Sequence, residues 1–147
     1  MKTPESNLIL RLFEHAEFDG ISLRSATENA LSLWGPPDRS QRMARDTVFH
    51  CWGGIQLWGD PHGMVGLMSL ICMPILPPKS GRILSSYEAI RSLRVSDLPL
   101  RAVHRPQYSD DEESYYEIGE VDCVFEIASQ AIVKVVISPS MQLRKKK

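Results

Sequence analysis

The chain has 147 residues, 43% hydrophobic and 24% charged, with a formal net charge of -1, the composition of one globular domain or of two small halves sharing a core. Residues 144–147 hold four of its 17 basic residues, leaving 13 against 18 acidic ones elsewhere. That excludes the basic face a nucleic-acid binder needs, and the longest apolar run, 64–76, is too short and too broken by Gly66, Ser69 and Pro74 to span a bilayer.

Thr3-Pro4 reads as an N-cap followed by proline at the first helical position. Leu8, Ile9, Leu12, Phe13 and Ala16 recur at helical spacing and predict an amphipathic helix that stops near Phe18, at the Asp19-Gly20 turn. Arg11, Glu14 and Glu17 interrupt this stretch, so no secretory signal is expected. Ser25-x-x-Glu28 has the form of a capping box and predicts a short helix through Ala30, Leu31 and Trp34, stopped by Gly35-Pro36-Pro37. Arg39, Arg42 and Arg45 lie in a polar connector with no readable conformation. Residues 48–52 are β-rich, Gly53-Gly54 allows a kink or bulge, and 55–58 alternate. Turn residues fill 59–63, and 65–71 form a largely apolar strand suited to the middle of a sheet. Residues 73–81 read as an extended linker.

The order then recurs. Ser85-x-x-Glu88 repeats the capping-box spacing, and Ile83, Tyr87, Ile90 and Leu93 give a helical face. Residues 114–125 form two β-rich runs around Gly119, 128–130 suit a turn, and 131–137 form a strand. Shifting the chain by about 66 residues lays Phe49 on Tyr115, Gly53 on Gly119, Ile55 on Val121 and Ile71 on Ile137; the helices align nearer 60. The expectation is one domain over 1–147, built of pseudo-repeat halves at about 18–73 and 80–138, with a solvated basic tail at 139–147. Its class would be α+β: an N-terminal helix, then two tandem helix-plus-antiparallel-strand units, with the helices packed on one face of the sheet.

Catalytic chemistry finds little purchase. Cys51, Cys72, Cys123, His50 and His62 lack the short paired spacings that hold zinc. No GxSxG elbow and no phosphate-binding glycine loop occurs. An enzymatic reading would rest on Asp60, His62 and Cys51 meeting across a hairpin. Three cysteines without a CxxC pair predict free thiols and a cytoplasmic setting. No catalytic residue, metal or cofactor is therefore assigned.

The densest charge lies in Asp110-Asp111-Glu112-Glu113, followed by Glu117 and flanked by Tyr108, Tyr115 and Tyr116. Crowded carboxylates beside tyrosines suit a surface that docks and steers a basic protein. Trp58 is added as an exposed contact, whereas Trp34 and Trp52 read as core.

Four segments, Phe18-Asp19-Gly20-Ile21-Ser22-Leu23, Ser25-x-x-Glu28, Leu33-Trp34-Gly35-Pro36-Pro37-Asp38 and Gly54-Ile55-Gln56-Leu57, carry a resemblance. Together they resemble the φ-x-L-x-x-S-x-x-E-φ, LG-x-P and Y-G-φ-x-φ pattern of many small bacterial proteins, with Trp34 standing where that pattern has leucine. Several such proteins are immunity proteins encoded beside secreted toxins, and the layout is also similar to the duplicated beta-lactamase inhibitor proteins. The resemblance implies an immunity-type protein; with the acid run and the absence of catalytic motifs, the expectation is a non-catalytic inhibitor that occludes the basic active-site cleft of a cognate bacterial toxin, and composition predicts no nucleic acid or membrane partner. An acidic adaptor or secretion chaperone is the alternative, and a small enzyme using Asp60, His62 and Cys51 a second.

Overall fold

Alternation and glycine turns decide most of the architecture. A computed structural model describes residues 4–79 and 81–139. In chain order it contains α1 (Pro4–His15), β1 (Glu17–Phe18), β2 (Ile21–Ser22), α2 (Thr27–Trp34), β3 (Arg39–Arg42), β4 (Val48–Trp52), β5 (Ile55–Gly59), β6 (Val65–Ile71), α3 (Gly81–Arg91), β7 (Val103–His104), β8 (Glu113–Ile118), β9 (Val121–Glu126) and β10 (Ile132–Ile137). Short 3-10 turns sit at Ala44–Asp46, Val95–Asp97 and Pro106–Tyr108. The basic tail and the cap expected at Thr3 lie outside the described residues.

Eight strands form one antiparallel sheet in the order β3-β4-β5-β6-β10-β9-β8-β7, and β1-β2 make a separate hairpin. This overturns the α+β expectation of two tandem helix-plus-strand units. Strand occupies 36% of the chain against 27% helix, and the molecule is dominated by that single sheet. The cause is the pairing of β6 with β10, which sets Leu70 opposite Val135 and Met68 opposite Ile137. Two apolar strands that would each have been an exposed edge become the centre of a wider sheet.

One face of the sheet carries the core. Trp52, Ile55, Leu57, Met68, Leu70, Cys123, Phe125, Val135 and Ile137 alternate along their strands and join Leu12 and Phe13 of α1, Ala30 and Trp34 of α2, and Ile83, Tyr87 and Ile90 of α3 in a single buried cluster. Trp34 and Trp52 meet edge to face with centroids 5.0 Å apart, and their indole N–H groups donate to the carbonyls of Asp19 (3.2 Å) and Gly35 (3.1 Å). Each thus buries its ring without leaving a donor unsatisfied. Phe49 and Val124 are equally buried but lie outside that cluster, because they point to the opposite face. Trp52 and Trp58 are on opposite faces: Trp52 pairs with Ile55 and Trp58 with Phe49.

Neither capping box forms. The N-cap of α2 is Ala26 and receives no side-chain cap. Ser25 is tied to the start of β6: its carbonyl accepts from the Val65 amide at 2.7 Å, and its hydroxyl accepts from the Ser22 amide at 3.3 Å. Ser85 lies inside α3, and Glu88 pairs with Arg91 at 2.6 Å.

The 66-residue offset does bring strand onto strand, with β4, β5 and β6 falling on β8, β9 and β10. Gly53 and Gly119 sit at matching hairpin tips with φ of 58° and 61°, so Gly53-Gly54 is a two-residue turn and not a bulge. The linker after β6 is an ordered strap. The Leu76 carbonyl accepts from Gly54 N at 2.6 Å, and the Tyr87 hydroxyl donates to Ile71 O (2.6 Å) and accepts from Leu76 N (2.9 Å).

The two tips make a matched experiment. Among the described residues a Cβ at Gly119 meets nothing within 4 Å, whereas one at Gly53 lies 2.5 Å from the carbonyl oxygens of Leu76 and Pro77. Gly119→Ala should cost about 1–2 kcal/mol for its left-handed backbone alone. Gly53→Ala should cost ~3 kcal/mol or more, since the strap must also move. Urea unfolding of the two variants reads the difference, and equal losses would contradict the strap.

Candidate functional site

The face of the sheet opposite the helices is the place to look for function, although Phe49, Ser69, Asp122 and Val124 on it are already buried. Across it runs one unbroken row of paired residues from edge to edge: Arg39, Cys51, Gln56, Ser69, Val136, Asp122, Glu117 and Val103. On one side of that row Phe49 and Trp58 pack with their rings tilted and centroids 4.9 Å apart, with Leu67 beside Trp58 and the Arg39 guanidinium 5.8 Å from the Phe49 ring. On the other side, at the diagonal corner, Tyr115 pairs with Val124, and Tyr108 lies 5.2 Å from the Tyr115 ring.

The acid run borders this second corner, where it is folded into a turn leading to β8. Asp110 Oδ1 accepts from the amides of Glu112 and Glu113, both at 2.8 Å, and the Asp110 amide donates to Glu113 O at 3.0 Å. Those backbone donors, Glu112 first and then Glu113, hold the Asp110 carboxyl below its ordinary value of 3.8. Asp110 is therefore a turn anchor, and Asp111 and Glu112 are the exposed charges it presents. Asp111, Glu112 and Glu113 have no ion-pair partner among the described residues.

Of the remaining residues expected here, two serve the scaffold. Tyr116 points to the core face, edge to face with Phe125 at 5.9 Å and beside His104 at 5.0 Å. Glu117 is bound by Arg105 through both Nε and Nη2, so its charge is already met. Ser109 secures the same corner, its hydroxyl donating to Arg105 O at 2.9 Å and accepting from Tyr115 N at 3.0 Å. Trp58 lies on β5, four strands from β8. At about 4.8 Å per strand, that is ~19 Å from the acid loop. The structure thus brings together Tyr108, Asp111, Glu112, Glu113 and Tyr115, and sets Trp58 apart. Sequence reading passed over Arg105; the available signal was strand alternation, which places Glu113, Tyr115 and Glu117 on one face and Tyr116 on the other.

The residues of the enzymatic reading do not converge. Cys51 sits beside the Gly53 turn, while His62 lies in the turn beyond the far end of β5, where Asp60 Oδ1 accepts from the amides of His62 (2.8 Å) and Met64 (3.0 Å). Burial pushes the Cys72 thiol up to about 12 and raises Cys123 further, so neither is a thiolate at neutral pH. Among the described residues no group of three or more His, Cys, Asp or Glu is placed to hold a metal ion, and no helix is long and apolar enough to cross a membrane.

These features define a class: an eight-stranded antiparallel sheet with the described helices on one face and, beside the other, an anionic, tyrosine-bearing corner. No protein-family model and no curated protein matches the chain. Among solved structures it is similar to an extracellular protein containing a SCP domain from Bacillus anthracis str. Ames, at 11% identity and a TM-score of 0.43, over 84% of this chain and 46% of that one. The chain thus spans less than half of that protein's length, and a likeness at this level carries no argument about activity or partners.

The Asp110 anchor has a pH signature. Its pKa is lowered in the folded turn, so the bonds contribute fully above the ordinary carboxyl value and are lost as pH falls through the lower folded-state value. Protection factors of the Glu112 and Glu113 amides should drop in acid. In Asp110→Ala they should be low throughout, with no acid step; an acid step surviving in that variant would exclude the anchor.

Proposed function

We propose that this chain is a non-catalytic, cytoplasmic protein-binding inhibitor. In the fuller form of this reading it is an immunity protein that neutralises a cognate bacterial toxin by occluding a basic active-site cleft. The observation that carries it is the turn at Asp110, which holds the carboxylates of Asp111, Glu112 and Glu113, unpaired among the described residues, beside the Tyr108–Tyr115 pair. A preformed anionic ledge with aromatic contact area steers a cationic partner and needs no further ordering when it docks. The motif resemblance over residues 18–71 points the same way. Free thiols at Cys51, Cys72 and Cys123 support a reducing compartment.

The structure-guided test separates charge from scaffold. Wild-type chain and an Asp111→Lys/Glu112→Lys variant, with Asp110 retained, are used to capture proteins from the native bacterium. A basic protein should be retained by wild type and its own activity suppressed. The variant should associate roughly tenfold more slowly at low salt, with the gap closing as salt rises. Equal rates and equal salt dependence would sink the ledge as the docking site.

A further inference from the structure

We infer that the edge strand β3 docks an extended acidic segment of a partner protein, which adds to the sheet as a further antiparallel strand. The two-residue Gly53-Gly54 turn makes Trp52 and Ile55 a hydrogen-bonded pair. Alternation along β4 then commits the backbone groups of Trp52, His50 and Val48 to β5, and those of Cys51 and Phe49 to Arg39 and Gln41 of β3. The Met43 amide, donating to Thr47 O at 2.8 Å, continues the same alternate set. The N–H and C=O groups of Ser40 and Arg42 therefore point away from the sheet. All four residues of β3 are exposed. Neither Ser40 nor Arg42 takes a backbone partner outside the ladder among the described residues. Two donors and two acceptors stand open in a row, the pattern that an added strand completes.

Charge selects the occupant. The strand Arg39-Ser40-Gln41-Arg42 carries two positive charges and no acid, and Arg45 follows in the turn that closes it. None of these arginines has a carboxylate partner among the described residues. Of the two nearby acids, Asp38 Oδ2 accepts from the Gly53 amide at 2.7 Å, and Asp46 forms no ion pair among the described residues. Arg39 and Arg42 stand ~10 Å apart along β3 and project to opposite faces of the sheet, so carboxylates three residues apart on an incoming strand meet both. A second β3 would set arginine near arginine, which opposes self-pairing. The chain's own acid run is folded into the Asp110 turn, and residues 144–147 are all basic. The strand must therefore come from another protein. A phosphate backbone offers acceptors alone and leaves the Ser40 and Arg42 carbonyls unanswered. This edge lies at the end of the sheet away from β8 and the anionic ledge, so the inference goes beyond the partner reading above.

The probe is a short capped peptide of threonine and valine with two glutamates three residues apart, titrated into the isotope-labelled full chain. The Ser40 and Arg42 amide resonances should shift and gain exchange protection. Glutamine in place of both glutamates should raise Kd about tenfold, and added salt should erase the difference. Arg39→Glu/Arg42→Glu should raise Kd for the glutamate peptide by a similar factor with an unchanged far-UV spectrum, and should bind the lysine counterpart of the peptide instead. N-methylation of alternate peptide amides should abolish binding for the set facing β3 and spare it for the set facing solvent. The same variant should still capture the basic protein sought by the ledge, so the two proposals fail separately. No binding up to about 1 mM, equal binding of the glutamine peptide, an indifferent arginine variant, or equal tolerance of the two N-methylated sets overturns the proposal.

Discussion

The pairing of β6 with β10 is the constraint on which the rest of this structure depends. Leu70 against Val135 and Met68 against Ile137 unite two four-stranded meanders, each of which could otherwise have closed on its own helix. Once they are joined, the residues of one parity along all the central strands face α1, α2 and α3 together. Those of the other parity form a continuous second face that the described helices leave open. The core and the functional surface are thus two sides of one pairing decision.

The same pairing explains why the long segment between the halves is ordered. Bringing β10 beside β6 forces the chain to cross from the end of β6 to α3 over the Gly53-Gly54 tip. Only glycine lets the strap lie that close, and Tyr87, fully buried from α3, ties it down through both its donor and its acceptor. The corresponding tip at Gly119 has no such neighbour. The two halves are therefore alike in strand layout and unlike in what their turns support.

Charge is distributed by the same logic. Arg105 enters from beyond β7 and meets Glu117, and Asp110 turns its carboxylate inward on backbone amides. What reaches solvent is a subset of the acid run, set beside two tyrosines that the fold holds together. Acidity at this corner is a property of placement as much as of composition, because an ion pair or an amide cage removes a carboxylate from the field a partner feels.

The sequence by itself determined the local pieces. Proline and glycine stopped α2, glycine interrupted the strand runs at Gly53 and Gly119, though Gly53-Gly54 read as a kink or bulge and is a hairpin tip, and alternation with β-branched residues located β4, β5, β6, β8, β9 and β10, since these signals act over a few residues. It left β3 and β7 unread, as Arg39–Arg42 and Val103–His104 carry no apolar alternation and are strands only because a neighbour supplies their ladder. It also misled at Ser25 and Ser85, where the capping-box spacing is present but the Ser25 backbone is engaged by Val65 and Ser85 lies mid-helix. Only tertiary structure decided that the two halves share one sheet, which face the helices cover, that Trp58 stands far from Tyr115, and that Glu117 belongs to Arg105. Each of these depends on contacts between residues distant in the chain, and the free energy of such contacts is not written in any local pattern.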